Sequence, residues 1–282
     1  MTGMDAKPRS SNVLAFERQG HGAPVVFVHG YISDLRVWEN VRSHWAHPGE
    51  LLLPTLKGFG KPNVAPNPDE FGTPEHLEQL AGFIELEVGG PAHVVGWSYG
   101  ATLALLLAAS RPELVLSVYA YEAGLSDFIS DEAIASQIAK DRADMAAGAV
   151  AALAAGDLDQ AVGQIVDGAC ARDGVFATLD APARRIFLDN AATVPAMFSG
   201  EGASSSRGLT GSVLTIQQPV TMSAGEHARP AYRLVADEAA RLLPSARRTT
   251  LAYGLHVAPV TTPTAFVADV AAHLQPAAQE EW

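Results

Sequence analysis

A single cysteine, Cys170, stands among 282 residues. One thiol cannot close an internal disulfide, so nothing in the sequence asks for an oxidising compartment, and Cys170 reads as a buried inert thiol. Cations are scarce too, with 19 Lys and Arg against 31 Asp and Glu, a formal net charge of −12. That field repels phosphate backbones and anionic lipid, and no local Lys/Arg cluster offsets it, so neither nucleic acid nor a membrane surface is an expected partner. Long apolar runs are also missing. The longest mostly apolar stretch, 101–109, is far shorter than the ~20 residues of a membrane-spanning helix, and residues 1–12 are polar with no apolar signal core. A soluble, cytoplasmic protein is expected. The strand-to-helix turns carry no glycine-rich phosphate loop of the dinucleotide or Walker type, so no cofactor is implied. His44 and His47 are three apart on an expected helix and could share a face, but no third ligand accompanies them and no metal site is expected. The oligomeric state stays open.

What is present suits a folded protein with a buried interior. The composition is 48% hydrophobic and 18% charged, enough apolar material for a sizeable interior. Short β-rich apolar runs at 25–28, 51–53, 93–95, 115–121, 220–223 and 248–251 alternate with helix-length segments. This is the rhythm of βαβ units, and it predicts an α/β fold with a mostly parallel sheet and helices on both faces. Residues 13–18, followed by Gly20 and Gly22, read as an antiparallel edge partner in a hairpin ahead of the first buried strand. The rhythm breaks between about 124 and 211, where 131–155, 158–171 and 181–190 have helical spacing and Ala-rich composition with no strand between them. The expected organisation is a core of residues 1–124 and 212–282 with an all-helical insertion at 125–211. A Gly/Ser-rich stretch, 199–206, has the composition of a mobile loop. Pro263 opens a last amphipathic helix to Leu274, and the tail from Pro276 is expected to fray.

Gly96-Trp97-Ser98-Tyr99-Gly100 has the Gly-x-Ser-x-Gly pattern in which a strand turns sharply into a helix and holds the serine in a strained backbone state. As a bare pattern it is weak. Its context strengthens it, because His93-Val94-Val95 is a buried strand signal and the helix former 101–109 starts at once after the turn. Ser98 then sits beyond a strand's carboxyl end and at a helix N-terminus, where open α/β sheets bind ligands and developing negative charge is favoured.

A second element is the buried strand Val25-Val26-Phe27-Val28 running into His29-Gly30-Tyr31. With it the sequence resembles the α/β-hydrolase superfamily over about 23–124 and 218–274. The resemblance implies a nucleophilic Ser98 and an oxyanion hole made by the backbone N–H groups of Tyr31 and Tyr99, and it leaves His29 as a structural hydrogen-bonder. Tyr253-Gly254-Leu255-His256-Val257-Ala258-Pro259 looks like the family's catalytic-histidine loop, with His256 as the base that takes the serine proton. The helical insertion looks like the cap that closes over the sheet edge in relatives. Gly30, Trp97, Met145 and Phe198 are the candidate pocket residues. Phe128, Ile129, Ile134, Ile138, Phe187 and Met197 could join them or form the insertion's own core.

Two positions depart from the family. In Pro54-Thr55-Leu56-Lys57-Gly58-Phe59-Gly60 the usual acidic and histidine positions are changed, and no functional claim follows. The acid is expected in a Gly-x-x-Asp stretch, which here is Gly225-Glu226-His227-Ala228. Alanine cannot orient an imidazole. Three explanations remain: the acid has moved to Glu122 at the end of strand 115–121, Glu226 acts from two residues away, or no acid is used. Glu122 is the preferred choice, and Glu226 is the alternative. On this reading the protein is a serine hydrolase of a small, largely uncharged ester, thioester or lactone, with C–C bond hydrolysis possible on the same residues. The rivals are a lyase, decarboxylase or cofactor-free oxygenase on the same fold, and a small-molecule receptor.

Overall fold

The computed structural model describes residues 14–199 and 210–275. The readings of 1–12, of 200–206 and of the tail from 276 lie outside the described residues. Seven strands form one sheet in the order β1-β3-β2-β4-β5-β6-β7. They are β1 Ala15–Gln19, β2 Pro24–Val28, β3 Glu50–Thr55, β4 Ala92–Trp97, β5 Val115–Tyr121, β6 Val220–Gly225 and β7 Ala246–Leu251. From β3 to β7 every neighbouring pair is parallel. Strands β2, β4, β5 and β6 are buried along nearly their whole length. Helices cover both faces, so neither face needs polar alternation and the strands are mostly apolar, with Ser117, Thr221 and Ser223 as buried polar exceptions.

The edge strand corrects one expectation. β1 is antiparallel, but it pairs with β3 (Ala15 opposite Thr55, Gln19 opposite Leu51) and makes no hairpin with β2. β2 is hydrogen-bonded to β3 on one side and β4 on the other and has no open edge for β1, whereas the outer edge of β3 is free to pair with it.

In the first half the helices are α1 Glu39–His44, α2 Thr73–Phe83 and α3 Tyr99–Ser110. Between β5 and β6 the chain inserts α4 Glu132–Ala154, α5 Leu158–Ala169, α6 Val175–Thr178, α7 Ala181–Asp189 and α8 Val194–Phe198. The chain closes with α9 Pro230–Leu242, α10 Ala258–Thr261 and α11 Pro263–Leu274. α3 is apolar all round and almost wholly buried, as a helix packed on the sheet centre must be. A second correction concerns His44 and His47. α1 stops at His44, whose Nδ1–H donates to Asn40 O at 2.7 Å, while His47 Nδ1 accepts the Gly49 N–H at 3.0 Å. Each imidazole serves its own stretch of backbone, so the two share no helix face. Cys170 is buried, and burial pushes its thiol up to about 12, which keeps it an uncharged, unreactive group. No helix among the described residues is long and apolar enough to cross a membrane.

Polar joints seat the insertion on the core. α9 begins after Arg229, which cannot cap a helix, and Asp141 of α4 does so from outside by accepting the Ala231 N–H at 3.1 Å. The same carboxylate takes the Arg229 guanidinium in a two-pronged pair, 3.0 Å to Oδ2 and 2.9 Å to Oδ1. At the other side Asn190 Nδ2 donates to Asp34 Oδ2 at 2.8 Å, and Arg36 bridges Asp34 and Asp189.

Candidate active site

Four turns at the carboxyl ends of parallel strands come together at one edge of the sheet. β2 delivers Gly30 and Tyr31, β4 delivers Ser98, β5 delivers Glu122, and the loop after β7 delivers His256. Non-glycine residues with positive φ concentrate here: Ile32 at 51°, Ser98 at 55°, Glu122 at 50° and Tyr253 at 57°. Such backbone costs on the order of 1–3 kcal/mol per residue and persists only where the surroundings impose it, typically at functional sites. The glycines flanking Ser98 are sterically required. A Cβ on Gly96 would overlap the backbone at the start of α3, and one on Gly100 would overlap the Val28 carbonyl of β2. The elbow is held from β5 by the Ser98 N–H, which donates to Tyr121 O at 2.8 Å.

Glu122 is fully buried. Its Oε2 accepts from His256 Nδ1 at 2.7 Å, and its Oε1 accepts the Gly225 N–H at 2.9 Å, so both carboxylate oxygens are used. The proton on Nδ1 leaves Nε2 of a neutral His256 as the basic nitrogen. The loop carrying His256 is pinned by the ends of two neighbouring strands: Trp97 Nε1–H donates to His256 O at 2.7 Å, and the Tyr121 hydroxyl donates to Leu255 O at 2.8 Å. Ser98 and His256 border the same cavity, without a direct hydrogen bond between hydroxyl and imidazole. Such bonds often tighten only when substrate is bound. Glu226 is exposed, and its Oε2 accepts the Tyr253 N–H at 2.9 Å, which shapes the start of the histidine loop without reaching the imidazole. Ala228 is buried beside Ala224, Tyr232 and Met145.

Tyr99 is the first residue of α3, whose first-turn N–H groups have no acceptor within the helix. Gly30 lies against the serine, since a Cβ there would sit 3.4 Å from Ser98 Cβ. His29 behaves as the structural hydrogen-bonder it was read to be: Nδ1–H donates to Gly30 O at 2.8 Å, and Nε2 accepts the Leu56 N–H at 3.1 Å. Burial lowers its pKa, and a neutral ring is what this pair of bonds requires.

A cavity of about 90 Å³ opens between Ser98, His256 and the insertion. It is small against the ~300–1,000 Å³ of drug-sized pockets. Its wall includes Gly30, Trp97, Met145 and Phe198, together with Phe187 and Met197, while Phe128, Ile129, Ile134 and Ile138 pack in the apolar core instead. Among the described residues no Asp, Glu, Lys or Arg lines it. An apolar wall with a few polar groups at the reacting end suits an uncharged occupant.

Two residues of the site carried no signal that motif reasoning could use. Tyr232 stacks on His256 with ring centroids 4.6 Å apart and planes 11° apart. His76 braces the opposite side. Its Nε2–H donates to Lys57 O at 3.1 Å, and its Nδ1 accepts the Tyr99 hydroxyl at 2.8 Å. The Tyr99 ring in turn stacks on Tyr31, with ring centroids 4.1 Å apart. A tyrosine at each position following the glycine and the serine was a clue to this pairing, but His76 on α2 had none.

Burial lowers the pKa of His76 from 6.5 to about 4. An unfolded chain would bind a proton at His76 below about pH 6.5 that the folded protein refuses until about pH 4, so stability is lost as the pH is lowered through that window. His273, half-buried near the other end of the sheet and also lowered to about 4, acts in the same direction. Urea midpoints should therefore be lower at about pH 5 than at neutral pH, and His76→Phe should flatten part of that slope whatever it does to the stability itself. An unchanged slope in the variant would mean that His76 already titrates normally in the folded protein.

The geometry has counterparts. The sequence profile of the alpha/beta hydrolase fold matches residues 23–257. A pimeloyl-acyl-carrier-protein methyl ester esterase of Aeromonas salmonicida is 31% identical over 105 residues, covering 37% of this chain and 39% of the esterase. A haloalkane dehalogenase of Bradyrhizobium diazoefficiens is 32% identical over 113 residues, covering 38% and 35%. The chain thus spans less than half the length of these curated relatives. Among solved structures, an alpha/beta hydrolase from Sphaerobacter thermophilus superposes with a TM-score of 0.66 at 24% identity over 93% of this chain and 96% of its own, a likeness of fold.

Proposed function

The chain belongs to the alpha/beta hydrolase fold family, and from that premise we propose that it is a serine hydrolase of a small, largely uncharged ester, thioester or lactone. The observation that carries this reading is the 2.7 Å bond between Glu122 Oε2 and His256 Nδ1 beside a cavity that Ser98 borders. Ser98 Oγ attacks the substrate carbonyl while its proton passes to His256 Nε2, and Glu122 stabilises the imidazolium that forms. The N–H groups of Tyr31 and Tyr99 receive the oxyanion of the tetrahedral intermediate. His256 then returns the proton to the leaving oxygen or sulfur, an acyl-Ser98 remains, and water activated by the same imidazole releases the acid. The esterase relative supports ester chemistry, and the uncharged cavity wall supports a neutral substrate. Helices α4 to α8 serve as a lid whose Met145 and Phe198 shape the pocket.

A panel of short acyl esters, thioesters and lactones tests the reading. Turnover of at least one class is expected. A protein that turns over none of them, and whose Ser98 is not acylated by any, would favour the lyase, decarboxylase or oxygenase class on the same residues.

A further inference from the structure

We propose that the Tyr232 hydroxyl is a substrate-binding donor that selects, among the small neutral substrates of this site, those with a second hydrogen-bond acceptor besides the scissile carbonyl. The inference rests on the serine-hydrolase reading and deepens it. Most polar side-chain atoms on the cavity wall are already committed. Trp97 Nε1–H is bonded to His256 O, Tyr31 is stacked on Tyr99 and is not free, and Ser98 and His256 are the reacting pair. The Tyr232 hydroxyl differs, because its partner is the Met145 thioether sulfur at 3.4 Å. A thioether is a weak acceptor, so a phenol donating to it inside an apolar wall gains by exchanging it for a substrate oxygen or nitrogen.

The hydroxyl is also held in place beforehand. Tyr232 is 7% exposed and sits on the first turn of α9, with its ring flat against His256 and packed on Ala224, Ala228 and Met145. Its position is therefore fixed relative to the imidazole, and through the imidazole relative to the carbonyl that Ser98 attacks. Donors held in this way bind without a further ordering cost. Burial raises the phenol's pKa, so it stays a neutral donor at any working pH. The arrangement also gives Ala228 a role. With the carboxylate supplied by Glu122, a small residue at 228 leaves room for the ring beside His256.

Matched ester pairs test the proposal: ethyl acetoacetate against ethyl butanoate places the extra acceptor in the acyl part, and methoxyethyl acetate against butyl acetate places it in the alcohol part. The wild type should prefer the acceptor-bearing member of at least one pair in kcat/KM. Tyr232→Phe, which keeps the ring and removes only the hydroxyl, should cut that preference by about tenfold, the scale of one hydrogen bond. Met145→Leu, which removes the competing sulfur, should keep or enlarge it. A wild type with no preference in either pair, turnover being equal or absent, overturns the proposal. So does a Tyr232→Phe protein that loses rate equally on both members. Labelling of Ser98 by a phosphonate in the same preparations separates the two ideas: labelling without preference sinks only the role of Tyr232, whereas absence of labelling sinks the reading beneath it.

Discussion

Ser98→Ala should lower turnover by about 10³-fold or more while the protein stays folded. In the proposed mechanism the hydroxyl forms the covalent bond, and it makes no hydrogen bond on which the fold depends. The strained φ of 55° is held by the bond from the Ser98 N–H to Tyr121 O and by the glycines on either side, all of which alanine retains. His256→Ala should cost a similar factor. The double variant should be little worse than either single one, because base and nucleophile act as a unit and the second loss removes nothing further. Kinetics of the purified variants on the best ester of the panel decide the matter. Near-normal turnover by Ser98→Ala would rule out acyl-enzyme chemistry, and additive losses would place the action of His256 elsewhere.

Glu122→Gln should lower kcat by about 10²-fold or more, with Glu226→Gln near neutral. The difference follows from how each carboxylate is used. Both oxygens of Glu122 accept, one from the Gly225 N–H and one from His256 Nδ1. A glutamine has a single acceptor oxygen, so either the backbone donor or the imidazole must face an NH₂ group. In the first case a buried N–H is orphaned, and in the second the imidazole loses both its tautomer and the charge that stabilises its protonated form. Glu226 is exposed and bonds only the Tyr253 N–H, an acceptor role that glutamine can fill. The reverse ranking in kcat would move the acid to Glu226. Indifference to both substitutions would mean that His256 works without a carboxylate.

The parts of this molecule that could be read in advance are those where local chemistry and local sequence coincide. Strands buried on both faces are mostly apolar, so 25–28 and 115–121 mark β2 and β5, and an elbow that forces α3 against β2 admits only glycine at 96 and 100. Glu122 could be named because it is the carboxylate that ends β5, and parallel strands bring their ends to one edge. What stayed hidden depends on contacts between residues far apart in the chain. The neighbour of β1 is decided by which edge of β3 is left open, and no pattern within 15–19 records it. The end of α1 at His44 separates two histidines whose spacing suggested a shared face. Tyr232 against His256 and His76 against Tyr99 are tertiary pairs of ordinary residues on ordinary helices. Ala228 was the nearest thing to a warning. A missing acid showed that something else stood beside the imidazole, though not that it was an aromatic ring four residues on.

The central claim is that Ser98 is a nucleophile activated by His256. Intact-protein mass spectrometry after treatment with a serine-reactive alkyl phosphonate, followed by peptide mapping, tests it most directly. The account predicts one stable adduct per chain, on Ser98, formed far more slowly in His256→Ala and absent in Ser98→Ala. A wild-type protein that remains unmodified, or an adduct that persists in Ser98→Ala, would contradict it.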